Sequence, residues 1–359
     1  MSLLFTDGFD AYTTGSNIDL SCRWNAINEL QGFDITGISP HNLGASLYAD
    51  SVSGDLNKIH LVFRHHATIP DNLRSGIVGF HFRTDDITQY VVEPILGIMH
   101  IDVLNYQSAI RIAADGELQV YDGNTILVGS GGTINNDTWH HIEVKYMISG
   151  SIPANSYQVR LDGAEVINLP GGTNVEGAFD DDGIVGALEV QGADGANRYW
   201  DNFYILSLTG VANTGFIGPC FIETIYPTGD GSQKEFTGSD GDQIDNYLLV
   251  DDTFPDDDTT YVESSTSGDI DVYKFANPVG NVGTIRGINL VNRARKTTTA
   301  IGASRNVAKV SGTNYFQNQF PLSRTYDYND TTLDVNPDTN GPWTVVHFDE
   351  NEFGMQFQN

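Results

Sequence analysis

Ile59-His60-Leu61-Val62-Phe63-Arg64 and Val78-Gly79-Phe80-His81-Phe82-Arg83 decide the fold. In each, apolar and polar residues alternate with a period of two, which is the signature of a strand with one face in a core. Ile59, Leu61 and Phe63 share one face, and Val78, Phe80 and Phe82 share another. The pattern continues from Lys58 to Asn168, punctuated by Asp115-Gly116, Asp122-Gly123-Asn124 and Asp162-Gly163. Glycine and Asx residues supply the positive φ of tight hairpins, so this is an antiparallel meander. No alternation of strands with long amphipathic helices suggests a parallel sheet.

Composition agrees. The chain has 359 residues, 40% of them apolar, with 18 Phe, 16 Tyr and 38 Gly, which suits a globular, turn-rich, all-β protein of two domains and little helix. The last strand of the first domain is expected at Arg198–Leu206. A breaker-rich stretch, 207–219, then reads as a linker, with a second domain over 220–359. Strands are expected there at Tyr247–Val250, Ile270–Phe275, Gly287–Val291 and Glu352–Phe357.

Eighteen Lys and Arg stand against 47 Asp and Glu, a net charge of −29, which repels a phosphate backbone and argues against nucleic acid as a partner. Arg286, Arg293, Arg295, Lys296, Arg305 and Lys309 form one basic stretch, read either as a docking face for an acidic partner or as a solvated loop. Cys22 and Cys220 fall in different domains, so both are expected as thiols. No apolar run is long enough to span a bilayer, and the first residues do not have the pattern of a secretory signal.

Glu-x-Asp-x-Glu, Gly-x-Ser-x-Gly, a phosphate loop and Cys-x-x-Cys are all missing from the sequence. Glu189 and Asp194 are separated by a glycine-bearing turn and do not suggest a paired acid and base. His65-His66 and His140-His141 are neighbours on strands, so the members of each pair point to opposite faces and cannot share an ion. No catalytic residue is assigned.

Phe5-Thr6-Asp7-Gly8-Phe9-Asp10-Ala11-Tyr12, Asp137-Thr138-Trp139-His140-His141-Ile142-Glu143-Val144, Tyr157–Gly163 and Trp200-Asp201-Asn202-Phe203-Tyr204 together resemble the concanavalin A-like or laminin-G-like domains of phage structural proteins. The resemblance covers nearly all of residues 1–206 and implies an antiparallel jelly-roll sandwich. In the second domain, Val250-Asp251-Asp252, Pro255–Val262, Asp271–Phe275, Ala294-Arg295-Lys296, Asn336–Thr339, Pro342-Trp343-Thr344 and Glu352-Phe353-Gly354 resemble a domain of phage tail-associated proteins, expected as a smaller β-sandwich.

The resemblance implies a non-enzymatic virion component of tail, baseplate or fibre, assembled in the host bacterial cytoplasm, contacting other virion proteins and forming a homo-oligomer. A head-decoration protein and a glycan-degrading tail enzyme are the alternatives. It also implies a lectin-like surface for a host glycan, with Asn197, Tyr199 and Trp200 as candidates, although one of Trp139 and Trp200 is expected in the core. In such sandwiches the first and last strands are neighbours. Asp7, Asp10 and Asp201 would then meet, either as ligands of a structural calcium ion or as turn and buried acceptor residues.

Overall fold

A computed structural model describes residues 2–12, 23–27, 33–40, 45–49, 58–63, 69–70, 73–88, 93–100, 106–123, 125–148, 156–170, 185–279, 283–345, 348 and 350–359. Chain contacts divide it into two units, Ser2–Ile222 and Glu223–Asn359. None of the described helices is long and apolar enough to cross a membrane.

The first unit contains strands β1 (Leu3–Asp7), β2 (Asn25–Ile27), β3 (Phe33–Thr36), β4 (Ser46–Ala49), β5 (Lys58–Val62), β6 (Ser75–Thr84), β7 (Leu96–His100), β8 (Tyr106–Ile112), β9 (Glu117–Asp122), β10 (Ile126–Thr133), β11 (His140–Met147), β12 (Ser156–Leu161), β13 (Ala164–Leu169), β14 (Val185–Gln191) and β15 (Arg198–Ser207). They form two antiparallel sheets. One runs β13-β12-β11-β6-β15-β4-β3, with β1 also pairing β15; the other runs β10-β9-β8-β7-β14-β5-β2. This is a concanavalin A-like jelly-roll sandwich.

The alternating faces named above meet between the sheets. Ile59, Leu61, Phe63, Val78, Phe80 and Phe82 are all fully buried in one core with Ile142, Val144, Trp200, Phe203 and Ile205. Asp162 and Gly163, at φ 51 and 84, make the tight turn between β12 and β13 that their sequence foretold.

Residues 207–219, expected as a linker, lie instead on the first unit. Leu208, Phe216, Ile217 and Cys220 pack on Leu3, Ile77, Tyr204 and Leu206, the side of the first sheet turned away from the core. The apolar residues among the breakers explain the difference, because they cover a second apolar patch that alternation on β1, β6 and β15 had left outside. Cys220 is not disulfide-bonded; Cys22 and His65-His66 lie outside the described residues.

The second unit is a smaller β-sandwich. Its strands are β16 (Pro227–Lys234), β17 (Thr237–Gly238), β18 (Val262–Glu263), β19 (Ile270–Phe275), β20 (Ile288–Ala294), β21 (Ala303–Val310), β22 (Thr313–Pro321), β23 (Asp327–Leu333) and β24 (Glu352–Gln358). A sheet ordered β16-β19-β24-β21-β22 faces the β20–β23 ladder, and β17 pairs β18. Ala308, Val310 and Phe353 from the sheet meet Leu333, Ile288 and Leu290 from the ladder, together with Trp343.

Tyr247–Val250, expected as a strand, begins instead with a 3-10 turn at Asn246–Leu249. Asn246 dictates this. Its fully buried amide donates to the Asp271 carboxylate at 2.8 Å and the Phe236 carbonyl at 3.1 Å, tying the segment down side chain first.

The basic stretch is neither a docking face nor a solvated loop at Arg293 and Arg295. Arg293 pairs with Asp257 at 2.8 Å, while Asp258 takes Arg295 and the Tyr326 hydroxyl. Both guanidinium groups also lie over the Tyr326 ring. The acidic loop of this chain is therefore the partner of its own Arg293 and Arg295.

Candidate ligand-binding face

The register across the first sheet creates a transverse row on its outer side. Tyr199 of β15 stands opposite Arg83 of β6 and Tyr48 of β4, and Tyr48 stands opposite Asp34 of β3. Residues in register on adjacent strands point to the same face. Trp139, just before β11, extends the row, with its ring 6.2 Å from that of Tyr199 and nearly edge-on. Tyr48 lies 5.0 Å from Tyr199, and the Arg83 guanidinium caps the Tyr199 ring at 5.0 Å. Tyr199 is only 8% exposed beneath that cap, while Tyr48 and Trp139 are half-buried.

Polar groups fix the row. Asn197 donates its backbone N–H (2.8 Å) and side-chain amide (2.5 Å) to Asp85 and accepts from the Tyr48 hydroxyl at 2.9 Å. Arg83 pairs with Asp137 at 2.7 Å. Asn197 and Tyr199 therefore sit together, joined through Tyr48. Trp200 does not belong with them: it is fully buried, packs on Phe33 and Phe82, and donates from Nε1 to the Ile95 carbonyl. Neighbours on a strand face opposite ways, so one of the pair Tyr199-Trp200 had to enter the core. Trp139 takes the place on the face that Trp200 does not fill.

The aspartates expected around calcium behave differently. β1 does lie beside β15, with Asp7 opposite Phe203. Yet the Asp7 carboxylate already accepts from Phe9 N–H (2.9 Å), the Tyr12 hydroxyl (2.6 Å) and Trp24 Nε1 (2.9 Å), with the Arg23 guanidinium 3.4 Å away. Asp10 accepts from the Ala45 N–H at 2.8 Å and Asp201 from the Asn202 N–H at 2.6 Å. A carboxylate saturated by donors beside a fixed cation offers little to a hard ion that wants about six to eight oxygens. Among the described residues no group of three or more His, Cys, Asp or Glu is arranged to hold a metal. The hydrogen bonds on the three aspartates are those of the turn and buried-acceptor reading. EDTA is expected to leave the melting temperature of the chain unchanged, as followed by circular dichroism; a drop reversed by added calcium would contradict this.

Asp201 is a different kind of acid. Burial pushes its pKa up to about 9, the Asn202 N–H pulls it down, and the nearby Asp10 and Asp7 raise it further. At neutral pH it is the protonated carboxylic acid.

Two buried polar networks lie on the outer sides of the sheets, the faces that alternation turns away from the core. On the second sheet, Glu189 is 1% exposed and meets His60 Nε2 at 2.5 Å, Lys58 Nζ at 3.3 Å and the Tyr106 hydroxyl. A register shift between β7 and β8 turns Tyr106 to this side, and Gly97 leaves room for its ring, since a Cβ there would lie 2.6 Å from Tyr106 Cε1. Burial works to raise the Glu189 pKa, but the His60 hydrogen bond, Lys58 and the Tyr106 hydroxyl together bring it below the usual value. Burial, with Glu189 adding to it, carries the Tyr106 phenol well above its ordinary value. Such a pair supplies neither a protonated acid nor an activated phenol. Asp194 sits exposed in the turn after β14.

On the first sheet, fully buried Glu143 accepts from the Tyr204 hydroxyl (2.9 Å), Ile217 N–H (2.9 Å) and Gly218 N–H (3.2 Å). It ties the 208–222 segment to the sheet. As adjacent strand positions require, His140 and His141 diverge: His140 Nδ1 meets Asp162 at 2.8 Å, while His141 Nε2 faces Tyr204. His141 instead meets His81 of β6 across the strands, ring centroids 4.9 Å apart, and burial lowers its pKa to about 4. Cross-strand register brought these groups together, and only a correct strand pairing could have revealed it.

No protein-family model matches the chain, and no curated protein matches it. Among solved structures it is similar to the binding domain of Paraclostridial Mosquitocidal Protein 1, at 13% identity and TM-score 0.37, covering 57% of this chain and 49% of that one. The chain thus spans about half the length of that binding domain. It is also similar to a protein of unknown function with a galectin-like fold from Bacillus subtilis (10% identity, 58% of this chain and 96% of that one, TM-score 0.36). A third is the GH131 beta-glucanase catalytic domain from Podospora anserina, at 14% identity, 58% and 98% coverage and TM-score 0.35. Likenesses at this level say nothing of activity.

Proposed function

We propose that this chain is a non-enzymatic structural component of a phage virion, in the tail, baseplate or fibre, and that its first unit binds a host-surface glycan through the transverse row. The observation that carries the binding part is the outward line of Trp139, Tyr199 and Tyr48, with Asn197 and Asp85 beside it. Sugar rings stack on aromatic faces while neighbouring Asx groups take their hydroxyls. The virion part rests on the resemblance of the tail-associated segments, and it entails other virion proteins and further copies of the chain as partners.

A binding role also suits the buried carboxylates. Glu189 is committed to Lys58, His60 and Tyr106 and held ionised, and Asp201, though protonated, is 3% exposed. Neither matches the solvent-reaching acid that glycoside hydrolysis needs.

Immunogold labelling of purified particles, with mass spectrometry of the same preparation, tests the assignment. The protein is expected in particles, at the tail or its tip and in low copy number. Its recovery solely from the cytosol of infected cells would overturn the proposal.

A further inference from the structure

The row carries a sign as well as a shape. Three carboxylates, Asp34, Asp85 and Asp137, lie on or beside it, together with the guanidinium of Arg83. Arg83 is already committed on both sides, to Asp137 by its Nη2 and to the Tyr199 ring by its face. It is therefore poorly placed to receive the carboxylate of an acidic sugar, and the chain as a whole carries a net charge of −29. Tyr48 and Trp139 stay half-buried; Tyr48 stands opposite Asp34 on the neighbouring strand, and Trp139 follows Asp137 by two residues. An ammonium group favours an aromatic face flanked by acids, through the ring quadrupole and charge-assisted hydrogen bonds.

Resting on the glycan-binding reading above, we propose that the row selects a glycan bearing free amino groups, such as a de-N-acetylated hexosamine polymer, over its N-acetylated form and over acidic polysaccharides. Stacking would hold the rings along Tyr48 and Trp139, and the carboxylate lone pairs that Asp34 and Asp137 do not already use on the Ile35 N–H and Arg83 would accept hydrogen bonds from the ammonium groups.

The test is isothermal titration of the full chain with three tetrasaccharides, of glucosamine, of N-acetylglucosamine and of galacturonic acid, repeated with Trp139→Ala and Tyr48→Ala. The glucosamine oligomer is expected to bind at least about tenfold more tightly than the N-acetylated one, with no binding of the galacturonate. Each variant should weaken the glucosamine oligomer by about tenfold or more. The variants also control for diffuse attraction to an acidic protein, which would survive them, and such survival would overturn the proposal. Equal or better binding of the N-acetylated or acidic oligomer, lost in the variants, would overturn the selectivity and leave glycan binding standing. If none of the three binds, and isolated host-surface polysaccharide does not bind either, both the selectivity and the glycan-binding reading fail. Binding of that polysaccharide alone would overturn only the selectivity.

Discussion

Glu143→Ala is expected to destabilise the first unit by about 3–5 kcal/mol, since each buried donor left without its acceptor costs about 1–3 kcal/mol. The substitution leaves the Tyr204 hydroxyl and the N–H groups of Ile217 and Gly218 without their acceptor. For a unit of this size the melting temperature should fall by roughly 6–20 °C. Because Glu143 holds the 208–222 segment to the sheet, limited proteolysis should cut that segment sooner in the variant than in the wild type. Calorimetry and proteolysis together check this. An unchanged melting temperature with an uncut segment would mean that apolar packing of Phe216, Ile217 and Leu208 holds the segment without help.

Asp201→Asn is expected to stabilise the protein above neutral pH and to do little in acid. In the folded chain the Asp201 pKa is raised, from 3.8 to about 9, mainly by burial. A raised acid binds its proton more tightly in the folded state than in the unfolded one. Its stabilising contribution is therefore fully present below the unfolded pKa near 3.8 and is lost as pH rises through the folded value near 9. Over that window the loss amounts to about 1.4 kcal/mol for each pH unit. Asparagine mimics the protonated acid and has no proton to lose. Urea melts at pH 4 and pH 8 should show the variant matching wild type at the lower pH and exceeding it by a few kcal/mol at the higher. Equal stabilities at both values would mean that Asp201 stays ionised in the folded protein.

Much of the sandwich was legible because its core obeys simple alternation. Ile59, Leu61, Phe63, Val78, Phe80 and Phe82 all enter the core assigned to them. The opposite faces were less legible. His60, Glu143 and Glu189 alternate as surface residues would, yet each is at most 2% exposed. Their burial depends on what covers the outer sides, and for Glu143 that is a segment whose breakers made it read as a linker. Local irregularities also hid the site. A register shift in β15 between Asp201 and Tyr204, with Asn202 at φ 51, breaks the alternation between the Tyr199 row and the Tyr204 network.

The candidate ligand face was half legible. Asn197 and Tyr199 followed from aromatic and Asx residues close in sequence, but choosing between Trp139 and Trp200 needed the strand's facing, and Tyr48, Arg83 and Asp34 needed its partners. Row membership is a property of register, which sequence fixes only through non-local pairing. In the second unit, Tyr247–Val250 has no alternation to distinguish strand from turn, and the deciding group, Asn246 against buried Asp271, lies across the chain.

The central claim, that the transverse row is a glycan-binding face, is tested most directly by binding of the purified full chain to isolated host-surface polysaccharide. Wild type and the Trp139→Ala and Tyr48→Ala variants should be compared at several salt concentrations, with circular dichroism confirming that each is folded. The account predicts saturable binding by wild type and a loss of about tenfold or more in each folded variant, equivalent to about 1.4 kcal/mol. No binding by wild type, or equal binding by folded variants, would contradict it.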